Sequence, residues 1–359
     1  MRSSNLSYLP RVDHLRCLAA GLVFVFHAFH MLYGHWQPHP QAWAYGWIVE
    51  GQTGVALFFV LSGYLFMTIA LGHGGRISYG QFMRNRFLRI FPLFLFVFFI
   101  SISMSRDQFQ AADWAYVFFS NIGRAPTSNQ FITGAAWTIS VEFTFYLIFP
   151  FIARFTLENG YKYLLRLIVL IALFKLGAYF SVENPKHMYY STVLGRLDQF
   201  LVGMVAALIS VRLTSVNKQL HTAWLAAAMI AVWGSLAMQS HWFSYFSNDQ
   251  KPVFWIYWGN LEAICWAFLI IGYSHWRGRL PLPIERLLEA GGKVSFSIYL
   301  WHALIIFLWV KLTGHVDWTG VWQLDFICQA AVLGMVTWMV ANLSYETIEE
   351  PFLNLRRRY

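Results

Sequence analysis

Ten apolar segments follow one another along this chain, each of roughly 17–23 residues and so able to cross a hydrocarbon core of about 30 Å. They are Cys17–Tyr33, Gly51–Leu71, Ile90–Ser105, Ala135–Ile152, Leu164–Phe180, Tyr189–Val211, Ala223–Met238, Val253–Tyr273, Val294–Val310 and Leu324–Leu343. Inside a bilayer every backbone N–H and C=O must find its partner within the protein, so segments of this length are read as helices. The expected fold class is all-α, a polytopic membrane protein of about ten transmembrane helices. Only 12% of the 359 residues are charged, against about 25% in soluble domains, which excludes a soluble class. Trp114–Ile122 is too short to span and is expected as a re-entrant or surface helix. The first apolar run lacks a small-x-small cleavage site before His35 and Trp36, so it is expected to stay as a helix rather than leave as a signal peptide.

The basic residues orient the bundle. With the N-terminus inside, only Arg106, Arg124, Lys186, Lys251 and Lys311 fall on the outer side, while Lys175 and Arg196 lie within helices. The remaining 19 of the 26 Lys and Arg residues fall on the inner side. That asymmetry predicts two cytoplasmic termini and a multi-pass protein of the inner (plasma) membrane. It also accounts for the net charge of +9 as topology, leaving no need for a nucleic-acid partner. The division expected is a membrane domain over residues 1–345 and a cytoplasmic C-terminal tail over 346–359, lying along the inner membrane surface. Cys17, Cys265 and Cys328 all sit in apolar runs with no spacing that suggests a metal site or a disulfide, so no metal is expected. Oligomeric state is not legible.

Ionisable groups inside the bilayer cost at least about 2.5–3.5 kcal/mol each and are candidates for function. They are His27 and His30 in the first span, Glu142 in the fourth, Lys175 in the fifth, Arg196 and Asp198 in the sixth, Glu262 in the eighth, His302 in the ninth and Asp325 at the edge of the tenth. Arg16 lies eleven residues before His27, about 16 Å along a helix axis, and can pair with Asp13 one turn earlier. A neutral imidazole at mid-depth suits general-base work on a hydroxyl, or else it is a hydrogen bond between helices. Arg86 and Arg89 share a helix face, suited to phosphates or to simple anchoring, and for Arg84 anchoring is preferred. Glu142 can meet Tyr146 one turn on, and either binds or orients a reacting group or pairs with Arg196. Arg196 and Asp198 point to different faces and so toward other helices. His302 could be a structural hydrogen-bonder. The glycines from Gly51 to Gly63 permit close helix approach and do not form a phosphate loop.

In this order the pieces resemble the integral-membrane acyltransferase-3 family, which includes bacterial polysaccharide O-acetyltransferases. The run Val12-Asp-His-Leu-Arg-Cys-Leu-Ala-Ala20 leading to His27 is similar to the family's Arg-x10-His pattern. Gly54-Val-Ala-Leu-Phe-Phe-Val-Leu-Ser-Gly63, Arg86-Phe-Leu-Arg89 with Ile-Phe-Pro, and Trp137-Thr-Ile-Ser-Val-Glu-Phe143 resemble three more motifs. Looser matches are Arg196–Met204, Val294–His302 and Glu349-Glu-Pro-Phe352. Phe143 stands where the family often has a second glutamate, and no esterase-like domain is appended, so any second transfer step is expected to need a separate partner.

The resemblance implies an O-acyltransferase, and within that class an O-acetyltransferase, moving an acyl group from acyl-CoA (commonly acetyl-CoA) to a hydroxyl. The acceptor implied is a cell-surface polysaccharide, a lipopolysaccharide or a glycan precursor such as a lipid-linked saccharide. Donor phosphates are expected on Arg16, Arg86 and Arg89. His27 is expected as general base, with an acyl-histidine as the alternative route, and Glu142 in support. Membrane lipids are the remaining partner. The rival class is a transporter or exporter of glycan precursors or small metabolites. Against it stand the absence of paired broken helices in two halves and the basic groups gathered at one inner pocket. A structural subunit is the third reading, and it leaves His27, Glu142 and Arg196 without a role.

Overall fold

The computed structural model describes residues 8–37, 42–104, 106–108, 131–183, 185–213, 218–247, 253–314 and 316–357. The expected helix at Trp114–Ile122 lies outside them. The long helices are α1 (Pro10–Phe29), α3 (Thr53–Gly72), α4 (Tyr79–Met104), α5 (Phe131–Asn159), α6 (Tyr161–Ser181), α8 (Val193–Arg212), α9 (Lys218–Trp242), α10 (Trp255–His275), α12 (Ser295–Thr313) and α13 (Trp322–Ser344). Four shorter ones join them: α2 (Ala42–Val49), α7 (Pro185–Ser191), α11 (Leu282–Lys293) and α14 (Glu350–Asn354). Among the described residues ten stretches are long and apolar enough to span a membrane, matching the expected number. Pro92 and Pro150 sit inside α4 and α5, as spanning helices tolerate when neighbours re-satisfy the freed carbonyl. Side chains such as Phe180, Ile230 and Met339 remain widely exposed on the outer helices, which suits a lipid-facing surface.

The centre of the bundle is α3, packed on α1 and α8. Small residues make this possible. A side chain at Gly63 would run into the Phe200 carbonyl, and one at Gly203 into the Val60 carbonyl, so α3 and α8 interlock glycine to backbone. Gly51 and Gly54 do the same against the Leu22 and Ala19 carbonyls of α1, as the glycine pattern suggested.

Two segments position the site. α11 keeps Ile284 and Leu287 exposed along one side, as a helix lying in a membrane interface does. Its last residues, Gly291 and Gly292, let it press onto Cys17 and the Asp13 backbone of α1. Beyond α13 a π-helical turn, Tyr345–Glu349, leads into α14. In this stretch, expected along the membrane surface, Glu349 turns inward at 2% exposure and Leu353 is buried as well.

Candidate active site

Arg16 comes from α1 and Arg86 and Arg89 from α4, and all three line one cavity of about 410 Å³ at the end of the bundle that also brings Tyr8 and Arg356 to its wall. Asp13 accepts from Arg16 at 3.2 Å, the expected one-turn pair. Arg86 lies over the Phe66 ring at 4.8 Å, and Arg89 donates to Glu349 at 3.0 Å. Glu349 also accepts from Ser297, so it fixes α12, α13 and α4 together at the cavity wall. Arg84 is exposed and does not line the cavity, in keeping with anchoring. The close approach of α11 adds Arg286 and Lys293, and the C-terminal segment adds Arg356. Six cations thus line it with two carboxylates, Asp13 and Glu289, and Glu349 pairs with Arg89 behind them, so the mouth carries a net positive charge. Multiple phosphates, with their fork-matched oxygens, fit such a set.

Arg16, Arg86 and Arg89 also line a smaller slot of about 90 Å³ between α3, α5 and α12. Phe58, Phe59 and Ile139 give it apolar walls, and Ser62, Thr138, Glu142 and Tyr299 put polar atoms in it. Glu142 accepts from Ser62 at 3.0 Å and hydrogen-bonds the Tyr146 hydroxyl one turn on. Its alternative partner is engaged elsewhere, since Arg196 pairs with Glu262 at 3.4 Å. Thr138 and Tyr299 share a hydrogen bond of 2.7 Å at the inner end of the slot.

His27 does not line this slot. It stands behind the inner end, where the His302 ring lies 5.7 Å from that of Tyr299 and 4.8 Å from that of His27. The hydrogen bonds define the tautomers. His302 Nδ1 meets the Ile298 carbonyl at 3.1 Å and His27 Nδ1 meets the Val23 carbonyl at 2.8 Å. A carbonyl oxygen only accepts, so both Nδ1 atoms carry hydrogen. His302 Nε2 is then a bare acceptor, and it receives a second share of the His27 Nδ1–H at 3.2 Å. The consequence is a neutral His27 whose lone pair sits on Nε2, turned away from both partners and fixed in direction.

The remaining intramembrane charges are tied to one another. Lys175 donates to Asp198 at 2.5 Å, both buried, and Gln199 joins Arg196 on Glu262 at 2.8 Å. Arg196 and Asp198 therefore pair with other helices, as their positions on different faces implied. Sequence reasoning left His302 as an ordinary hydrogen-bonder and counted Arg286, Lys293 and Arg356 only as topology. The signal available for α11 was its Gly291-Gly292 end, which permits the contact with α1. For His302 nothing in the sequence names the partner, because the pair joins residues 275 positions apart. Among the described residues no group of three or more His, Cys, Asp and Glu side chains could hold a metal.

The helical bundle thus carries a cationic cavity at one end, a slot lined in part by the same arginines, and a hydrogen-bonded histidine pair beside Tyr299 of that slot. Residues 9–341 match the family Acyl_transf_3, described as an acyltransferase domain, and the chain belongs to that family. It is 24% identical to O-acetyltransferase OatA of Staphylococcus aureus, covering 96% of this chain and 57% of that protein. It is 26% identical to Peptidoglycan O-acetyltransferase OatA of Listeria monocytogenes, covering 96% and 56%. Nodulation protein 10 of Rhizobium leguminosarum is 24% identical, covering 96% and 93%. The chain thus spans little more than half the length of the OatA relatives. No solved structure matches it.

Proposed function

We propose that this protein is an O-acyltransferase, and specifically an O-acetyltransferase, of the inner membrane, taking its acyl group from acyl-CoA on the cytoplasmic side and passing it to a glycan hydroxyl. The observation that carries the reading is the cationic cavity whose Arg16, Arg86 and Arg89 also line a slot walled by Tyr299, the ring neighbour of the His302–His27 pair. The excess of basic residues at the end holding both termini supports that end as cytoplasmic. Two of the relatives are named as O-acetyltransferases, one of them for peptidoglycan, which supports a cell-surface glycan as acceptor.

In this reading Arg16, Arg86 and Arg89 hold donor phosphates, and Arg286, Lys293 and Arg356 extend the grip outward. The slot between Phe58, Phe59 and Tyr299 guides the thioester arm inward, with Ser62 and Glu142 as polar contacts along it. His27 Nε2 takes the proton of the acceptor hydroxyl while that oxygen bonds to the thioester carbonyl carbon. The C–S bond breaks, and the imidazolium gives its proton to the departing thiolate. His302 is a positioning residue: it touches His27 rather than substrate, and helps keep the lone pair on Nε2.

The test is release of free CoA thiol by the purified protein supplied with acetyl-CoA, comparing wild type with His27→Ala and Arg86→Ala. Release that rises with a glycan acceptor and falls in both variants is expected. Absence of release, together with no effect of CoA on the melting temperature, would remove acyl-CoA as donor.

A further inference from the structure

The far end of α1 carries three departures from regular backbone within seven residues, and none of them is used by the donor side. α1 gives way to a π-helical turn, His30–Gly34, a form that gathers at functional sites. His35 and Trp36 then take positive φ of 43° and 58°, the one pair of non-glycine residues to do so among the described residues. Left-handed backbone at two successive side-chain-bearing residues is sterically costly and persists only where its surroundings hold it.

What holds it is the Trp36 indole. One face lies flat on the His30 imidazole, with centroids 5.2 Å apart and planes at 11°. Phe26 and Phe246 approach at 5.8 Å and 6.1 Å. His30 is itself fixed: it is 1% exposed and its Nε2 meets the Val49 carbonyl at 2.9 Å. Trp36 nevertheless keeps 46% exposure, so a large part of it is uncovered. The His27 ring stands 6.0 Å from the indole at 72°. His27 therefore has on one side His302, the ring neighbour of the slot residue Tyr299, and on the other the partly exposed Trp36. A tryptophan serving only as an interfacial anchor would have no reason to stack on a buried histidine beside the directed lone pair.

We propose that the open face of Trp36 is the acceptor subsite, a platform for a pyranose ring. The C–H face of a sugar packs on the electron-rich indole, and a ring-borne hydroxyl then reaches His27 Nε2 from the side opposite the donor. His30 and Phe26 stiffen the platform from behind, and the left-handed turn aims it. The inference rests on the acyl-transfer reading above and adds to it the place and chemical class of the acceptor.

The test uses the full chain in detergent with acetyl-CoA, following thiol release in water and with added methyl glucoside, methyl N-acetylglucosaminide or a β-1,4-linked N-acetylglucosamine tetrasaccharide. The wild type is expected to release thiol faster with at least one sugar. Trp36→Ala and Trp36→Leu should raise the KM for that sugar roughly tenfold, the scale of an aromatic ring contact, with the KM for acetyl-CoA held. Trp36→Tyr, which restores a flat ring, should recover most of the loss. Should alanine prove unstable, the comparison of leucine with tyrosine, each checked by its melting temperature, decides alone. An unchanged sugar KM in the leucine variant, or an equal rise in both KM values, overturns the platform. Slow thiol release that needs His27 but is raised by no sugar also overturns it, while leaving the acyl-transfer reading in place. No release under any condition overturns both.

Discussion

Replacing His302 tests the proposed division of labour within the histidine pair. The His27 Nδ1–H is shared between the Val23 carbonyl at 2.8 Å and His302 Nε2 at 3.2 Å. Removing His302 takes away the longer bond and leaves the shorter, which by itself still keeps hydrogen on Nδ1. The loss is then one neutral hydrogen bond, about 0.5–1.5 kcal/mol net, and so roughly a two- to thirteenfold fall in kcat. Removing His27 takes away the general base itself, an effect of about 10²–10⁴-fold. His302→Ala should therefore be clearly less damaging than His27→Ala, with the KM for acetyl-CoA unchanged because His302 does not line the cavity. His302→Gln, whose side-chain oxygen can still accept from His27, should sit nearer the wild type. Steady-state thiol release measures all three, with melting temperatures to separate loss of activity from loss of the fold. If His302→Ala is as inactive as His27→Ala while still folded, His302 is not a positioning residue and the tautomer argument fails.

Three further outcomes follow from the geometry. The pair Arg286→Ala and Lys293→Ala should weaken CoA up to about thirtyfold at low salt and leave 4′-phosphopantetheine, which lacks the nucleotide, nearly unaffected; equal weakening of both in titration calorimetry would place these cations elsewhere. Glu50, between α2 and α3 and fully buried, has its carboxyl pushed up to about 8 by burial, against hydrogen bonds that include those from Ser244 and Gln52. Below the unfolded carboxylate range both states are neutral; between there and pH 8 only the unfolded chain ionises, so the melting temperature should fall as pH rises across that window, and Glu50→Gln should flatten the fall. Lys175→Ala, which strands a buried Asp198, should cost about 3–5 kcal/mol, while Lys175→Met with Asp198→Leu should recover most of it; thermal unfolding that shows the double variant no better than the single would contradict the pairing.

The span count was legible because the bilayer imposes one length on every crossing element, and a soluble core has no use for ten apolar runs of that length. The close packing of α3 was legible too, since Gly54 and Gly63 mark where backbones touch. Depth along a helix could be read from residue spacing, which placed Arg16 well below His27. What spacing cannot supply is azimuth across helices. Nothing local distinguishes the face of α12 that meets α1 from the face that meets α13, so the His27–His302 contact stayed hidden. The same limit hid Glu349, which a π-helical turn at the end of α13 swings inward to meet Arg89. A regular helix continued through Tyr345 would have faced that carboxyl elsewhere.

The buried charges also show that cost alone does not identify a site. Each intramembrane ion is expensive, and on that ground Lys175, Asp198, Arg196 and Glu262 ranked beside His27. The structure separates them by what surrounds them. Lys175 and Asp198 are almost wholly excluded from solvent and neutralise each other between α6 and α8. Arg196 and Glu262 do the same between α8 and α10, with Gln199 completing the set. Neither pair lines the cavity, and a pair whose field is cancelled at contact distance attracts nothing from outside. Arg16 and Arg89 are paired too, with Asp13 and Glu349, but they stand with Arg86, Arg286, Lys293 and Arg356 around an open cavity, where six cations meet three carboxylates, Glu289 the third. Net positive charge facing a cavity is what the proposed donor site rests on, and a cancelled charge within the packing belongs to the frame that holds α8 in place. His27 belongs to neither group: it is uncharged in its hydrogen-bonded form, and what distinguishes it is a lone pair given a fixed direction.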